Sequence, residues 1–350
     1  MLVIHDKELG MAISEPELID FEESKSLIQE RLQQGHIEEA RDIASMYRHV
    51  KPLTLAADGL IEYMSNPEGR FMSGITELDA MTRGFGRGEL CLCIGRPHSG
   101  KTQLILNMMI NNLRNKRMIL FTPDEVSELV LSKLVSIKHG INAEEIERRV
   151  KEGDKSTVNL VKKSAAVDFR NLIVIDESLS FRGMTDAFNE AQDYWGEACD
   201  LVVVDYLELL PGDLEGGEGV VAKAQGMKRW TKNANVPVVC LHQASRSSGA
   251  RGQAAGMSAA RFGGEAESIF MIEVFRKRED EAMDDFDRRR HANTLSINLA
   301  KNKRPPSKVG MFDVFLDPAT GLVRALQPDD MIATGVPVST IEDAIKAVGR

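Results

Sequence analysis

The residues Gly95, Arg96, Pro97, His98, Ser99, Gly100, Lys101 and Thr102 fit the pattern G-x-x-x-x-G-K-[ST], between an apolar run and a helical one. That spacing serves triphosphate binding. Glycine lets backbone close around phosphate oxygens, and successive N–H groups at a helix start supply positive partial charge. Lys101 would meet the β- and γ-phosphates and Thr102 would offer its hydroxyl to Mg²⁺, so ATP and Mg²⁺ are the expected cofactors. The nucleotide-binding set extends to Gln103. A second segment, LVVVDYLELL (201–210), is an apolar strand with an acid at Asp205, suited to holding Mg²⁺ mainly through its water shell. Hydrolysis also needs a carboxylate to position or deprotonate water. Tyr206, not an acid, follows Asp205, so that group comes from elsewhere. RMILFTPDEV puts Asp124 and Glu125 at the end of the strand after the P-loop helix, and either can serve. PVVCLHQASR (237–246) ends another apolar strand with Gln243, a candidate γ-phosphate sensor, beside His242, which reads as structural.

These residues need a scaffold that gathers strand ends. From about residue 71, short apolar runs alternate with helical stretches: ELCLCIG, RMILFTP, NLIVIDES, DLVVVDYLELL and PVVCLHQ are each separated by a helix-like segment. Continuous rather than alternating apolar strands predict a parallel sheet covered on both faces, hence an α/β core. SIFMIEVF, NTLSINLAKN and VGMFDVFLD follow, the last two as closing antiparallel strands. Residues 15–65 read as helical, starting near Ser14 and Glu17 and broken at Gly35. The expected plan is an acidic helical region with a linker helix (1–70), an α/β triphosphate-binding domain (71–326) and a tail (327–350) ending in a short helix.

Charge and cysteine content narrow the classes. The chain has 350 residues and a net charge of −9. Residues 1–70 hold 14 acidic and 7 basic side chains, a net of −7, which leaves −2 for the rest. A globally basic DNA-coating protein is excluded, whereas contact with nucleic acid through a few basic loops is not. No apolar run reaches the roughly 18 residues of a membrane span, and the start lacks a secretory pattern, so a cytoplasmic protein without membrane contact is expected. Cys91, Cys93, Cys199 and Cys240 form no C-x-x-C pair and read as reduced core thiols, Cys91 and Cys93 sharing one strand face.

Six segments, in order across roughly 71–326, carry a family resemblance: SGITELDAMTRGFGRGEL, GRPHSGKT, LFTPDE, LVVVDYLELL, NVPVVCLHQASR and LAKNKRPP. The chain resembles the C-terminal motor domain of DnaB-type replicative helicases, the hexameric RecA-like group. The resemblance implies a RecA-like P-loop NTPase core, an α/β fold with a mainly parallel twisted sheet flanked by helices, plus a small helical N-terminal region. It implies an ATP-hydrolysing DNA helicase that forms a homo-oligomeric ring, usually a hexamer, and binds ATP between neighbours. Such a ring moves 5′ to 3′ on single-stranded DNA, unwinds forked DNA during replication, and has a primase or helicase loader as a possible partner.

Carried onto this sequence, Lys101 and Thr102 become the Walker A pair, Asp205 the Walker B acid and Gln243 the polar sensor. Without a gap, Asp124 takes the catalytic acid's place; Glu125, the longer side chain, needs a one-residue shift. Both stay candidates. The family's trans-acting Lys-x-Arg pair falls on Lys301 and Lys303, with Arg304 one place later, and a lysine lacks the planar fork of arginine. In MSAARFGGEAES (257–268), Arg261, Gly263 and Gly264 match a DNA-backbone-binding loop, which tracks phosphate without reading sequence. The Gly-rich PGDLEGGEGVVAK (211–223) is a second candidate channel loop. A compact, phage-like version without the family's larger amino-terminal domain is expected, acting in a bacterial host cytoplasm, with a helix near 55–68 swapped onto the next subunit. A RecA-like recombinase that forms filaments without unwinding, and a non-hydrolysing ring or loader, are the rival readings; SGITELD and LAKNKRPP favour the helicase.

Overall fold

The apolar runs become strands. The computed structural model describes residues 21–36, 39–40, 53, 56–65, 69–211, 216–244, 251–254, 265–327 and 330. The strands are β1 (Leu90–Gly95), β2 (Met118–Phe121), β3 (Leu172–Ile175), β4 (Leu201–Val204), β5 (Val238–Gln243), β6 (Phe270–Phe275), β7 (Thr294–Asn302), β8 (Gly310–Leu316) and β9 (Val323–Ala325). Among the described residues they form one nine-stranded sheet in the order β3-β2-β4-β5-β1-β6-β7-β8-β9. Pairing from β3 through β6 is parallel, and β7, β8 and β9 close the far side antiparallel.

Every residue of β1, β2 and β4 is buried, which is why these strands read as unbroken apolar runs. Successive side chains still part to opposite faces. Cys91 and Cys93 join a core with Leu104, Met108 and Leu134 from the helices Lys101–Ile110 and Ser127–His139. Leu90, Leu92 and Ile94 join the other core, with Phe188 and Trp230 from the helices Phe181–Trp195 and Gly216–Ala234. All four cysteines are buried and free, as the sequence predicts. No described helix is long and apolar enough to cross a membrane.

The chain divides into two compact units, Met1–Pro67 and Glu68–Arg350. In the first, the helix Phe21–Gln33 gives way at Gly35, whose φ of 78° suits glycine. The expected helix start near Ser14 and the tail helix lie outside the described residues.

Some elements depart from expectation. The Gly-rich segment 211–223, the second candidate channel loop, is helical from Gly216, with Glu218 in the first turn, where a negative charge suits the helix dipole. The helices Ala143–Lys151 and Lys155–Lys163 bury one residue each, Ile146 and Thr157, although Ala143, Ile146 and Val150, and Val158 and Val161, fall at helical spacing. Their starts are capped by the side chains of Asn142 and Asp154.

The segment SGITELD is also structural. The Asp79 carboxylate accepts from the N–H of Ser73 (2.7 Å), its hydroxyl (2.8 Å) and the N–H of Gly74 (2.9 Å). Asn112 Nδ2, just past the P-loop helix, donates to Met72 O at 2.8 Å. This turn therefore ties the front of the larger unit to the helix that follows the P-loop.

Candidate nucleotide site

In an open parallel sheet, ligands bind beyond the carboxyl ends of the strands. Here β1 delivers Gly95–Thr102, β2 delivers Asp124 and Glu125, β4 delivers Asp205 and β5 delivers Gln243. Pro97–Gln103, Asp124, Glu125, Asp205 and Gln243 line one cleft of about 610 Å³, so sequence-predicted residues from four separate strands do come together.

The P-loop is tightly wound. A Cβ on Gly95 would lie 2.5 Å from Ser99 Oγ and 2.6 Å from Val274 O. Gly100 adopts φ of 101° and begins the helix without any side-chain cap, leaving its first N–H groups to a ligand. Lys101 Nζ donates to Gly95 O (2.9 Å) and Arg96 O (3.0 Å), folded back on the loop it would otherwise span. Burial pushes the Lys101 pKa down, against the pull of Cys93, Asp205 and Glu208. The Ser99 hydroxyl is buried and finds no partner among the described residues.

Thr102 Oγ1 donates to Asp205 Oδ2 at 2.9 Å. Burial pushes the Asp205 carboxyl above its ordinary pKa, and Glu125 and Asp124 add to that, while the Thr102 hydrogen bond and Lys101 pull it down. A hydroxyl and a carboxylate side by side are hard oxygen donors, a pair that suits Mg²⁺ sharing its shell with phosphate and water.

The two candidate acids differ. Asp124 is exposed at the cleft, whereas Glu125 is half-buried and ion-paired to Lys133. Lys133 is one residue the sequence reading missed; only its place two helical turns beyond Glu125 hints at it. Arg276 is another. It lies in a mixed-charge stretch but is only 5% exposed, lines the cleft and donates to Ala292 O at 2.9 Å. Burial and neighbouring Arg278 pull its pKa down to about 10. The turn Asp317–Gly321 forms another wall of the cleft.

Lys301, Lys303 and Arg304 do not line this cleft. Lys303 N–H bonds Ile269 O, and Ile269 N–H bonds Leu90 O, which sets them at the amino edge of the sheet. That edge is a strand's length from the P-loop, roughly 20 Å for six residues. Arg304 is sealed into its own chain there. Nε donates to Glu89 Oε1 (2.9 Å), Nη2 to the other Glu89 oxygen, and Nη1 to Thr82 O and Gly84 O (both 2.7 Å). Its guanidinium lies 5.0 Å from the centre of the Phe270 ring. Lys301 is buried as well, whereas Lys303 is exposed, its Nζ donating to Ala266 O at 2.8 Å. Arg304, one of the candidates for the trans-acting cation, is therefore already engaged in internal bonds. Arg261, Gly263 and Gly264 lie outside the described residues.

Comparison with known proteins agrees with this arrangement. The family profile of the DnaB-like helicase C terminal domain matches residues 71–315. The replicative DNA helicase DnaB of Geobacillus stearothermophilus is 26% identical over 280 residues, covering 76% of this chain and 60% of that protein. The replicative DNA helicase DnaC of Bacillus subtilis strain 168 is 24% identical over 278 residues, with the same coverage of 76% and 60%. The chain thus spans about 60% of the length of these two relatives. Among solved structures, one described as an ATPase domain superposes with a TM-score of 0.68 at 19% identity, covering 79% of this chain and all of that one. A DnaB-like replicative helicase, described with its interactions with primase, gives a TM-score of 0.65 at 19% identity over 87% of this chain and 75% of that one. Both confirm the RecA-like fold that the six ordered segments imply, and the chain belongs to the DnaB-like helicase C-terminal domain family.

Proposed function

We propose that this protein is an ATP-dependent, ring-forming DNA helicase that moves along single-stranded DNA and unwinds duplex DNA during replication. The observation that carries the reading is the joint presence, at one sheet edge, of Lys101, the Thr102–Asp205 pair, the acids at 124–125 and Gln243.

When ATP enters, the N–H groups of the loop and the Ser99 hydroxyl bind phosphate oxygens, and Lys101 exchanges two carbonyl oxygens for the β/γ-phosphates. Bound Mg²⁺ would neutralise charge on those phosphates, held by the Thr102 hydroxyl and, through water, by Asp205. Glu125 serves as the catalytic acid that orients the attacking water: it is half-buried in the cleft and Lys133 holds it. Gln243 senses the γ-phosphate. Lys303 supplies the cation that reaches a neighbour's site, since Arg304 is bound internally and both lie far from their own P-loop. A site assembled this way works only in an oligomer, taken here as a hexamer.

DNA contact is assigned to Arg261, Gly263 and Gly264. The exposed apolar side chains Leu60, Ile61 and Met64 of the helix Ala56–Ser65 suit docking on the next subunit. A primase is a candidate partner by analogy with the described DnaB-like structure. The cytoplasm, of a bacterial host if the gene is phage-borne, is the proposed location. The test is strand displacement with ATP and Mg²⁺ on forks bearing only a 5′ or only a 3′ tail. Displacement from the 5′-tailed fork is expected; none from either overturns the reading. Imaging on DNA separates the recombinase alternative, which forms open filaments rather than closed rings.

A further inference from the structure

Strand β5 outruns its neighbour. Its pairing with β4 stops at Cys240 opposite Val204, while its pairing with β1 continues to Gln243 opposite Gly95. Successive N–H groups along a strand point to opposite sides. The N–H of Ala244 points to β1 and bonds Gly95 O at 3.0 Å. The N–H of Gln243 therefore points to the β4 side, where the strand has ended. A side chain fills the gap: Glu208 Oε1 accepts that N–H at 2.9 Å. The same oxygen lies 2.9 Å from Nδ1 of His242, which is fully buried.

Glu208 is itself well anchored. It sits in the short 3-10 turn Leu207–Leu209, three residues past Asp205, with Leu207 buried on one side. Its backbone oxygen accepts from Lys223 Nζ at 2.7 Å, which ties the turn to the helix Gly216–Ala234. Burial pushes the Glu208 carboxyl up, but the hydrogen bond and charge of His242, with the Gln243 N–H, outweigh it and hold the group below its ordinary range. It stays ionised at neutral pH. One carboxylate thus joins the segment carrying Asp205 to the peptide of Gln243.

We propose that Glu208, fixed by His242, is a positioning residue that holds Gln243 in the orientation hydrolysis requires. The inference rests on the cleft being an ATP-hydrolysing site. Without the latch, the backbone at Gln243 loses its only support on the β4 side among the described residues, and the sensor amide swings. Phosphate binding rests on the P-loop and stays intact, so the loss falls on turnover and not on nucleotide affinity.

The test uses the full chain and reads DNA-stimulated ATPase kcat, binding of a non-hydrolysable ATP analogue with Mg²⁺, and thermal unfolding. In Glu208→Ala, kcat is expected to fall about tenfold or more while analogue affinity stays within about threefold. Glu208→Gln, whose amide oxygen still takes the Gln243 N–H, restores most of the rate. Combined with Gln243→Ala, the Glu208→Ala change costs nothing further, because it acts through Gln243. Should Glu208→Ala fail to fold, Glu208→Asp carries the test, since it keeps the charge but withdraws the acceptor by one methylene. Unchanged kcat, an affinity loss equal to the kcat loss, or the same rate loss repeated in the Gln243→Ala background overturns the latch. If Lys101→Ala hydrolyses ATP like the unaltered protein, the ATP-site reading itself falls, and that result is separate from any seen at Glu208.

Discussion

The two edges of the sheet handle their charged groups in opposite ways. At the carboxyl edge, Ser99 buries a hydroxyl with no partner among the described residues, Lys101 leans on two carbonyls of its own loop, and burial lifts the Asp205 carboxyl. At the amino edge, Arg304 meets both oxygens of Glu89 and two backbone carbonyls, with an aromatic ring beneath. Unsatisfied buried polar groups are costly, so the first edge keeps its deficit for a ligand that repays it. Arg304 at the second edge carries no such deficit and is structural. A basic residue in a motif is therefore not by itself a reacting group; what its donors already hold decides.

The largest effect that sharpens this contrast is at the cleft. Glu125→Gln is expected to lower kcat by about 10²–10⁴-fold, the range of general acid–base catalysis, with Asp124→Asn costing less; steady-state ATPase assays decide it. The opposite ranking would move the catalytic role to Asp124. Next comes Arg304→Ala. Removing one partner of a buried ion pair costs about 3–5 kcal/mol, so urea unfolding should show a large stability loss. Full stability with lost ATPase would break the contrast, because Arg304 would then be acting on a reaction. The smallest effect is at Ser99. Ser99→Ala should leave the nucleotide-free protein equally or slightly more stable, by up to about 1 kcal/mol, yet weaken ATP binding several-fold. A stability loss would mean the hydroxyl already has a partner.

The cleft was more legible than the amino edge because its signals are local. The P-loop is eight contiguous residues, and β1, β2 and β4 are apolar without interruption because each is buried on both faces. Asp124, Glu125, Asp205 and Gln243 each follow such a run. The internal bonds of Arg304 are not legible in the sequence because its partner Glu89 stands 215 positions away, and nothing in LAKNKRPP announces it. Lys133 and Arg276 were missed for a related reason: one lies on a helix whose facing is known only once β2 is placed, the other in a charged stretch that reads as solvated. The Glu208–His242 contact needed the register of β4 against β5, which two apolar runs do not specify. The helices between residues 143 and 163 do carry apolar residues at helical spacing, Ile146 with Val150 and Val158 with Val161, but they are short and rich in charge.

The central claim is that each nucleotide site is completed by Lys303 from a neighbouring subunit. Mixing two inactive proteins tests it most directly: Lys101→Ala, which lacks the P-loop lysine, and Lys303→Ala, which lacks the exposed cation at the amino edge. Each alone should assemble and be ATPase-deficient. Mixed equally and reassembled, about a quarter of the head-to-tail interfaces would pair an intact P-loop with an intact Lys303, and DNA-stimulated hydrolysis should return in part. Oligomers that mix yet stay inactive, or a Lys303→Ala protein that hydrolyses ATP normally on its own, would contradict the account.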